Sequence, residues 1–203
     1  PYYADAIFAD FNNDGWLDVV VLDRSERPES RAILWLGQPG GTFECQPTTF
    51  SGLDAGGISG EAADLNNDGL LDLVFAADPD NSGVATDPRR YESRVYWNTG
   101  EHGASDNHWI RLCLSGMTHA EVIGARVEVS TGGRKQYRWM HSNHTYKSGG
   151  ALDAHFGLGK LDRGDVTVTL LDGHKFAFLN VKANRFLDLN LTTTTITAVG
   201  PSE

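Results

Sequence analysis

The stretch Asp10-Phe-Asn-Asn-Asp-Gly-Trp-Leu-Asp18 returns almost unchanged as Asp64-Leu-Asn-Asn-Asp-Gly-Leu-Leu-Asp72. Both copies place oxygen-bearing side chains at loop positions one, three, five and nine, with Gly at position six. A tight turn wraps a hard, oxygen-seeking cation in this way. The side-chain donors of the first copy are Asp10, Asn12, Asp14 and Asp18, with the Trp16 carbonyl at position seven. Those of the second are Asp64, Asn66, Asp68 and Asp72, with the Leu70 carbonyl. Gly15 and Gly69 allow a turn that a Cβ would obstruct. One copy alone would be matched by an ordinary Asn/Asp/Gly hairpin turn. Two copies with every donor in register point instead to a pair of calcium loops, one ion in each.

The loop is not a helix-flanked calcium switch. That design needs a bidentate Glu at position twelve, and here position twelve is Val21 or Phe75. Its flanks are Leu-Asp-Val-Val-Val-Leu22 and Leu-Asp-Leu-Val-Phe75, β-branched and aromatic runs that favour strands. Each loop therefore closes at position nine and joins two strands.

The offset from Asp10 to Asp64 is of the size of a propeller blade. Similar material follows each copy: Ala32-Ile-Leu-Trp-Leu-Gly37 after the first, Arg94-Val-Tyr-Trp-Asn98 after the second. On these residues the units resemble FG-GAP or VCBS-type repeats, the calcium-loop blades of integrin-like β-propellers. The resemblance implies that the position one, three, five and nine residues of each loop bind calcium. Two blades cannot close a propeller, which takes four to eight. The chain starts at Pro1, so a longer parent with further blades is expected. The alternatives are completion by partner chains and packing of both units on the domain that follows.

The expected first domain spans residues 1–100, with repeats at about 1–50 and 58–100. A polar stretch, residues 100–107, ends it. Beyond, His108-Trp-Ile-Arg-Leu-Cys-Leu-Ser115 and Ile123-Gly-Ala-Arg-Val-Glu-Val-Ser130 alternate apolar and polar residues as half-buried strands do. Thr131-Gly-Gly133 and Asp172-Gly173 are hairpin turns. No helical period is evident. Residues 107–190 therefore read as a small antiparallel β-sandwich-like domain, and the whole chain as all-β. Asn107-His-Trp-Ile110, Ile123-Gly-Ala-Arg-Val127, His155-Phe-Gly-Leu-Gly159 and Val181-Lys-Ala-Asn184 resemble the ASPIC/UnbV domain, which commonly follows FG-GAP-like repeats. Residues 191–203 form a Thr-rich tail, read first as an unstructured terminus. An O-glycosylated stalk and a strand offered to another subunit are the other readings.

The chain has 17 basic against 27 acidic residues and a net charge of −10. Clustered Lys and Arg, which nucleic-acid binding requires, are lacking. No apolar run is long enough to span a membrane. Cys45 and Cys113 show no metal-ligand spacing. Asn143-His-Thr145 and Asn190-Leu-Thr192 match glycosylation acceptors. His141 and His144 could hold a transition metal only with a third ligand that is not evident. Ser148 has no nucleophile-elbow context. The expected function is a calcium-stabilised, secreted interaction or adhesion module with no catalysis of its own. Its partner would be a protein or glycan, and the open blade edge or the Thr-rich tail would serve self-assembly. The rival readings are a structural subunit of an extracellular assembly and a polysaccharide-acting hydrolase or lyase.

Overall fold

A computed structural model describes residues 3–23, 32–46, 59–76, 93–141 and 149–199. The first repeat is a four-stranded antiparallel meander of β1 (Tyr3–Ala9), β2 (Asp18–Asp23), β3 (Ile33–Gln38) and β4 (Thr42–Gln46). The second is a three-stranded meander of β5 (Ser59–Ala63), β6 (Asp72–Ala76) and β7 (Arg94–Tyr96). Each nine-residue loop is a hairpin connection, closed by the pairs Ala9↔Asp18 and Ala63↔Asp72. Alternation sends Ile7, Val20, Leu22, Leu34 and Leu36 to one face of the first sheet. There they share a single core with Leu71, Leu73 and Phe75 of the second repeat. Burying each such side chain contributes about 1.5–3 kcal/mol, so neither hairpin set holds this face without the other. Among the described residues no sheet closes into a barrel. Residues 24–31, 47–58 and 77–92, within and between the two repeats, lie outside the described residues.

A 3-10 turn (Ala104–Asp106) leads into eight further described strands: β8 (His108–Ser115), β9 (Arg126–Thr131), β10 (Arg134–Trp139), β11 (Asp153–Gly159), β12 (Arg163–Thr169), β13 (Lys175–Lys182), β14 (Arg185–Asn190) and β15 (Thr195–Ala198). They form two four-stranded sheets, ordered β10-β9-β12-β13 and β11-β8-β14-β15. Val127, Val129, Val166 and Val168 of one sheet meet Ile110, Leu112, Phe156 and Leu189 of the other. This is the expected sandwich. It departs from the expected all-antiparallel arrangement in one pair, because β14 runs parallel to β8. The chain reaches β14 from β13, which lies in the opposite sheet, so it is not bound to return antiparallel as a hairpin does. One helical turn, α1 (His119–Val122), interrupts the otherwise all-β chain. It begins at Thr118, whose N–H and hydroxyl both donate to the Glu121 carboxylate.

The Thr-rich tail corrects the expectation of an unstructured terminus. Asn190 Oδ1 accepts the Thr192 and Thr193 N–H groups, which turns the chain back. β15 then pairs antiparallel with β14, Leu189 opposite Ile196. The β-branched Thr and Ile residues that looked like a stalk suit an edge strand. Cys45 and Cys113 are both free thiols.

Leu112 lies fully buried at the centre of β8, between β11 and β14. Leu112→Ala should lower unfolding free energy by about 2–5 kcal/mol in a denaturant titration. Leu179→Ala, at a position 73% exposed, should stay within about 0.5 kcal/mol of the parent.

Candidate metal centre

The two loops have the same backbone. Asn13 and Asn67 have φ values of 57° and 60°, and Gly15 and Gly69 both 87°. In this left-handed region Gly is unstrained and Asn is tolerated. The hydrogen bonds repeat as well. The position-one carboxylate accepts two backbone N–H groups. Asp10 takes those of Asp14 (3.1 Å) and Gly15 (2.8 Å), and Asp64 those of Asp68 and Gly69 (both 3.1 Å). The position-five carboxylate accepts the N–H of position seven, Trp16 on Asp14 and Leu70 on Asp68. The amides of Asn12 and Asn66 donate to the same position-five carboxylates. The position-nine carboxylate closes the loop. Asp18 accepts from Phe11 N (2.7 Å) and Asp72 from Leu65 N (3.1 Å). Its other oxygen ties the loop to the third strand segment of the repeat. Gly37 N donates to Asp18 at 2.8 Å, and Asn98 N to Asp72 at 2.9 Å. These partners end the two similar segments Ala32–Gly37 and Arg94–Asn98. That likeness was visible in the sequence, but it did not by itself say what their last residues do.

Both loops are seated on the second domain, the packing held open above as an alternative; the contacts that make it were not legible in the sequence. Gly157 N donates to Asp10 Oδ2 at 3.1 Å, and Gly159 N to the Asn13 carbonyl at 2.8 Å. A Cβ on Gly157 would fall 2.3 Å from Asp10 Oδ2. Only glycine lets β11 come this close. Asn107 Nδ2 donates to the Asn12 carbonyl, and Arg134 to that of Asp14. The Arg134 guanidinium also lies 4.7 Å above the Trp16 ring. On the second loop, Arg111 donates to the Asp64 carbonyl at 3.2 Å and to Asn67 Oδ1 at 3.3 Å. His155 Nε2 bonds the Gly69 carbonyl at 3.1 Å. A carbonyl only accepts, so Nε2 carries the proton. Trp109 covers Gly69 and stacks on His155 with ring centroids 5.9 Å apart.

Comparison with known families assigns both halves. Residues 10–75 match the family model of the FG-GAP-like repeat, and residues 116–196 match that of ASPIC and UnbV. The chain carries an FG-GAP-like repeat followed by an ASPIC/UnbV domain. The first match begins at Asp10 and spans both loops; within the second lie Gly157 and Gly159. No curated protein matches the chain in sequence. FG-GAP repeats are typical of extracellular proteins, and no helix among the described residues is long and apolar enough to cross a membrane.

The FG-GAP loops concentrate negative charge out of water. Asp10, Asp18, Asp64 and Asp72 are all buried. Burial, and then the charge of Asp18, raises the Asp10 carboxyl to about 8, against the opposing field of Arg138. Burial raises Asp18 to about 7, against the N–H groups of Gly37 and Phe11. Asp64 is raised by burial too, less the effect of the Gly69 N–H and of Arg111. Among the described residues, no three His, Cys, Asp or Glu side chains converge as a metal-holding group. The loop carboxylates are turned onto backbone N–H groups instead. Asp10 Oδ2 accepts from both Gly15 and Gly157, whereas Asp10 Oδ1 and the carboxylate oxygens of Asp14 and Asp18 each keep a lone pair beyond the bonds given above, and the donors are all hard oxygens. The donor set therefore fits a hard divalent cation in chemistry, and the turn fits in backbone. Of the other candidates, His144, Asn143 and Ser148 lie outside the described residues. His155 is a buried bridge to the second loop.

The raised carboxyls set a pH dependence in chelator-treated protein. A carboxyl whose folded pKa is raised holds a proton that the unfolded chain has lost, so stability falls as pH rises towards the folded value. His155, lowered by burial to about 3, acts oppositely, but only below the unfolded His value of about 6.5. Between about pH 6.5 and about 8, where Asp10 titrates, the carboxyl effect stands alone at these three groups. Stability should fall across that window, and less steeply in Asp10→Asn. Parallel denaturation curves for the two proteins at every pH would refute the assignment.

Proposed function

We propose that the chain is a calcium-stabilised extracellular interaction module with no catalysis of its own. The observation that carries this reading is the hydrogen-bond frame shared by the two FG-GAP loops around all-oxygen donors, of which those at positions one and nine are buried in both. Asp10, Asn12, Asp14 and Asp18, with the Trp16 carbonyl, would hold one ion. Asp64, Asn66, Asp68 and Asp72, with the Leu70 carbonyl, would hold the other. A bound divalent cation supplies the positive charge that the desolvated carboxylates lack. The chain's own residues do the rest. Backbone N–H groups aim the carboxylates, and the ASPIC/UnbV domain keeps water from one side of each loop. Cation binding that requires the folded loop adds directly to stability, by about 2.7 kcal/mol at a hundredfold excess over Kd.

The interaction surface best supported is a cleft of about 320 Å³ where β1 and β5 face β10 and β11. Phe8, Tyr137 and Trp139 line it and are exposed, Phe8 at 62% and Trp139 at 54%. Exposed aromatics around a polar floor suit a protein or glycan partner. One acid of the floor, Asp153, is engaged by Arg111 at 2.6 Å. A structural subunit of an extracellular assembly would use the same surface.

Calcium titration of chelator-treated protein should show two ions bound, and saturating calcium should raise Tm. Asp14→Ala and Asp68→Ala should each remove one ion while the other loop still fills. A melting curve identical in EDTA and in millimolar calcium would overturn the reading.

A further inference from the structure

The two loops are not independent turns. Asn13, at position four of the first loop, donates its side-chain amide to the Gly69 carbonyl of the second at 3.0 Å. His155 donates to the same carbonyl at 3.1 Å. That carbonyl belongs to the peptide plane whose N–H, on Leu70, donates to the Asp68 carboxylate at 2.8 Å. One rigid plane thus joins loop one and the ASPIC/UnbV domain to a cation ligand of loop two. On the same strand, two residues beyond His155, Gly157 holds Asp10 of loop one. A second bridge runs through Asn98, whose amide donates to the carbonyls of Phe11 (2.8 Å) and Leu71 (3.2 Å). Asn13 and His155 both bury their side chains in this junction.

We propose that Asn13 and β11 couple the two loops, so that filling one raises cation affinity at the other and fastens the ASPIC/UnbV domain to the repeats. The inference rests on the calcium reading above. Its physical content is shared ordering. A cation in loop one fixes the turn from which Asn13 projects, and with it the Gly69–Leu70 plane. Loop two then binds without meeting that ordering cost again. Outer partners of this kind orient ligands they do not join, and their loss typically weakens metal sites about 10–100-fold. Asn13 is a positioning residue, since position four supplies no donor to the ion.

The test is calorimetric calcium titration of the full chain, with circular dichroism confirming the fold of each variant. In Asp68→Ala, loop one should bind at least about fivefold more weakly than it does in the parent. Asn13→Gly keeps every ligand and tolerates the positive φ. It should still bind two ions, and adding Asp68→Ala to it should cost loop one less than the same change costs the parent. Gly157→Ala weakens the junction from the β11 side and replaces Asn13→Gly if that variant does not fold. In that background, too, Asp68→Ala should cost loop one less than in the parent; a cost undiminished in either background would overturn the assignment of the coupling to this junction. Equal loop-one affinity in the parent and Asp68→Ala would overturn the coupling while leaving calcium binding intact. No calcium uptake by the parent would overturn the calcium reading and the coupling with it.

Discussion

Everything in this molecule depends on keeping an ionisable carboxyl at Asp10 out of water. Desolvating a carboxylate costs several kcal/mol unless hydrogen bonds or charges replace its hydration. Asp10 receives N–H groups from Asp14 and Gly15 of its own turn and from Gly157 of a distant strand. The turn supplies the first two only because Asn13 and Gly15 take left-handed backbone. The strand supplies the third only because residue 157 has no side chain. A local turn and a long-range contact are thus solved at one side chain. The loop cannot relax without loosening the domain interface, nor the interface part without stranding Asp10.

The same constraint explains how the two described repeats hold to the rest of the chain. Their inward faces share one apolar core, as blades do in pairs. The loop ends lean on β8, β10 and β11 through backbone-directed bonds from Asn107, Arg111, Arg134, His155, Gly157 and Gly159. Those bonds reach mostly carbonyl groups of the loops, so they depend on the turn's shape rather than on its side chains. Packing of the hairpin units on the following domain, one of the arrangements open at the level of sequence, is present in the structure.

The legible parts were those with a local cause. The nine-residue loops announced themselves by residue type and spacing, and the hairpins fell where those loops placed them. The strand β8 was readable from its alternation. What escaped notice lacked local cause. The strand β14 follows the Val181–Asn184 motif and was not read as a strand, because its parallel pairing with β8 comes from topology. The tail's Thr run looked like low complexity, and only the Asn190 turn makes β15 of it. The partners of Asp18 and Asp72 are backbone N–H groups of Gly37 and Asn98, and a backbone donor leaves no signature of its own. Gly157 and Gly159 were recognised as part of a family motif. That one of them must admit a carboxylate from the other domain follows only from the fold.

The two loops share a frame but not an environment. In loop one, Asn12 and Asn13 are buried and the ASPIC/UnbV domain contacts three of its carbonyls. In loop two, Asn66, Asn67 and Asp68 are exposed, and Arg111 comes within 3.9 Å of the Asp64 carboxylate. A protein cation already offsets part of the charge there, whereas Asp10 has only the field of Arg138, itself desolvated. Uncompensated carboxylate charge in a dry site is the stronger attractor for a divalent ion, since attraction grows as the effective dielectric falls. On the calcium reading proposed above, burial would make loop one the tighter of the two sites, and water access would make loop two the faster to exchange. A junction passing order from the first to the second would fit that inequality. The loop with the greater need for a cation would then set the geometry of the loop that is open to receive one.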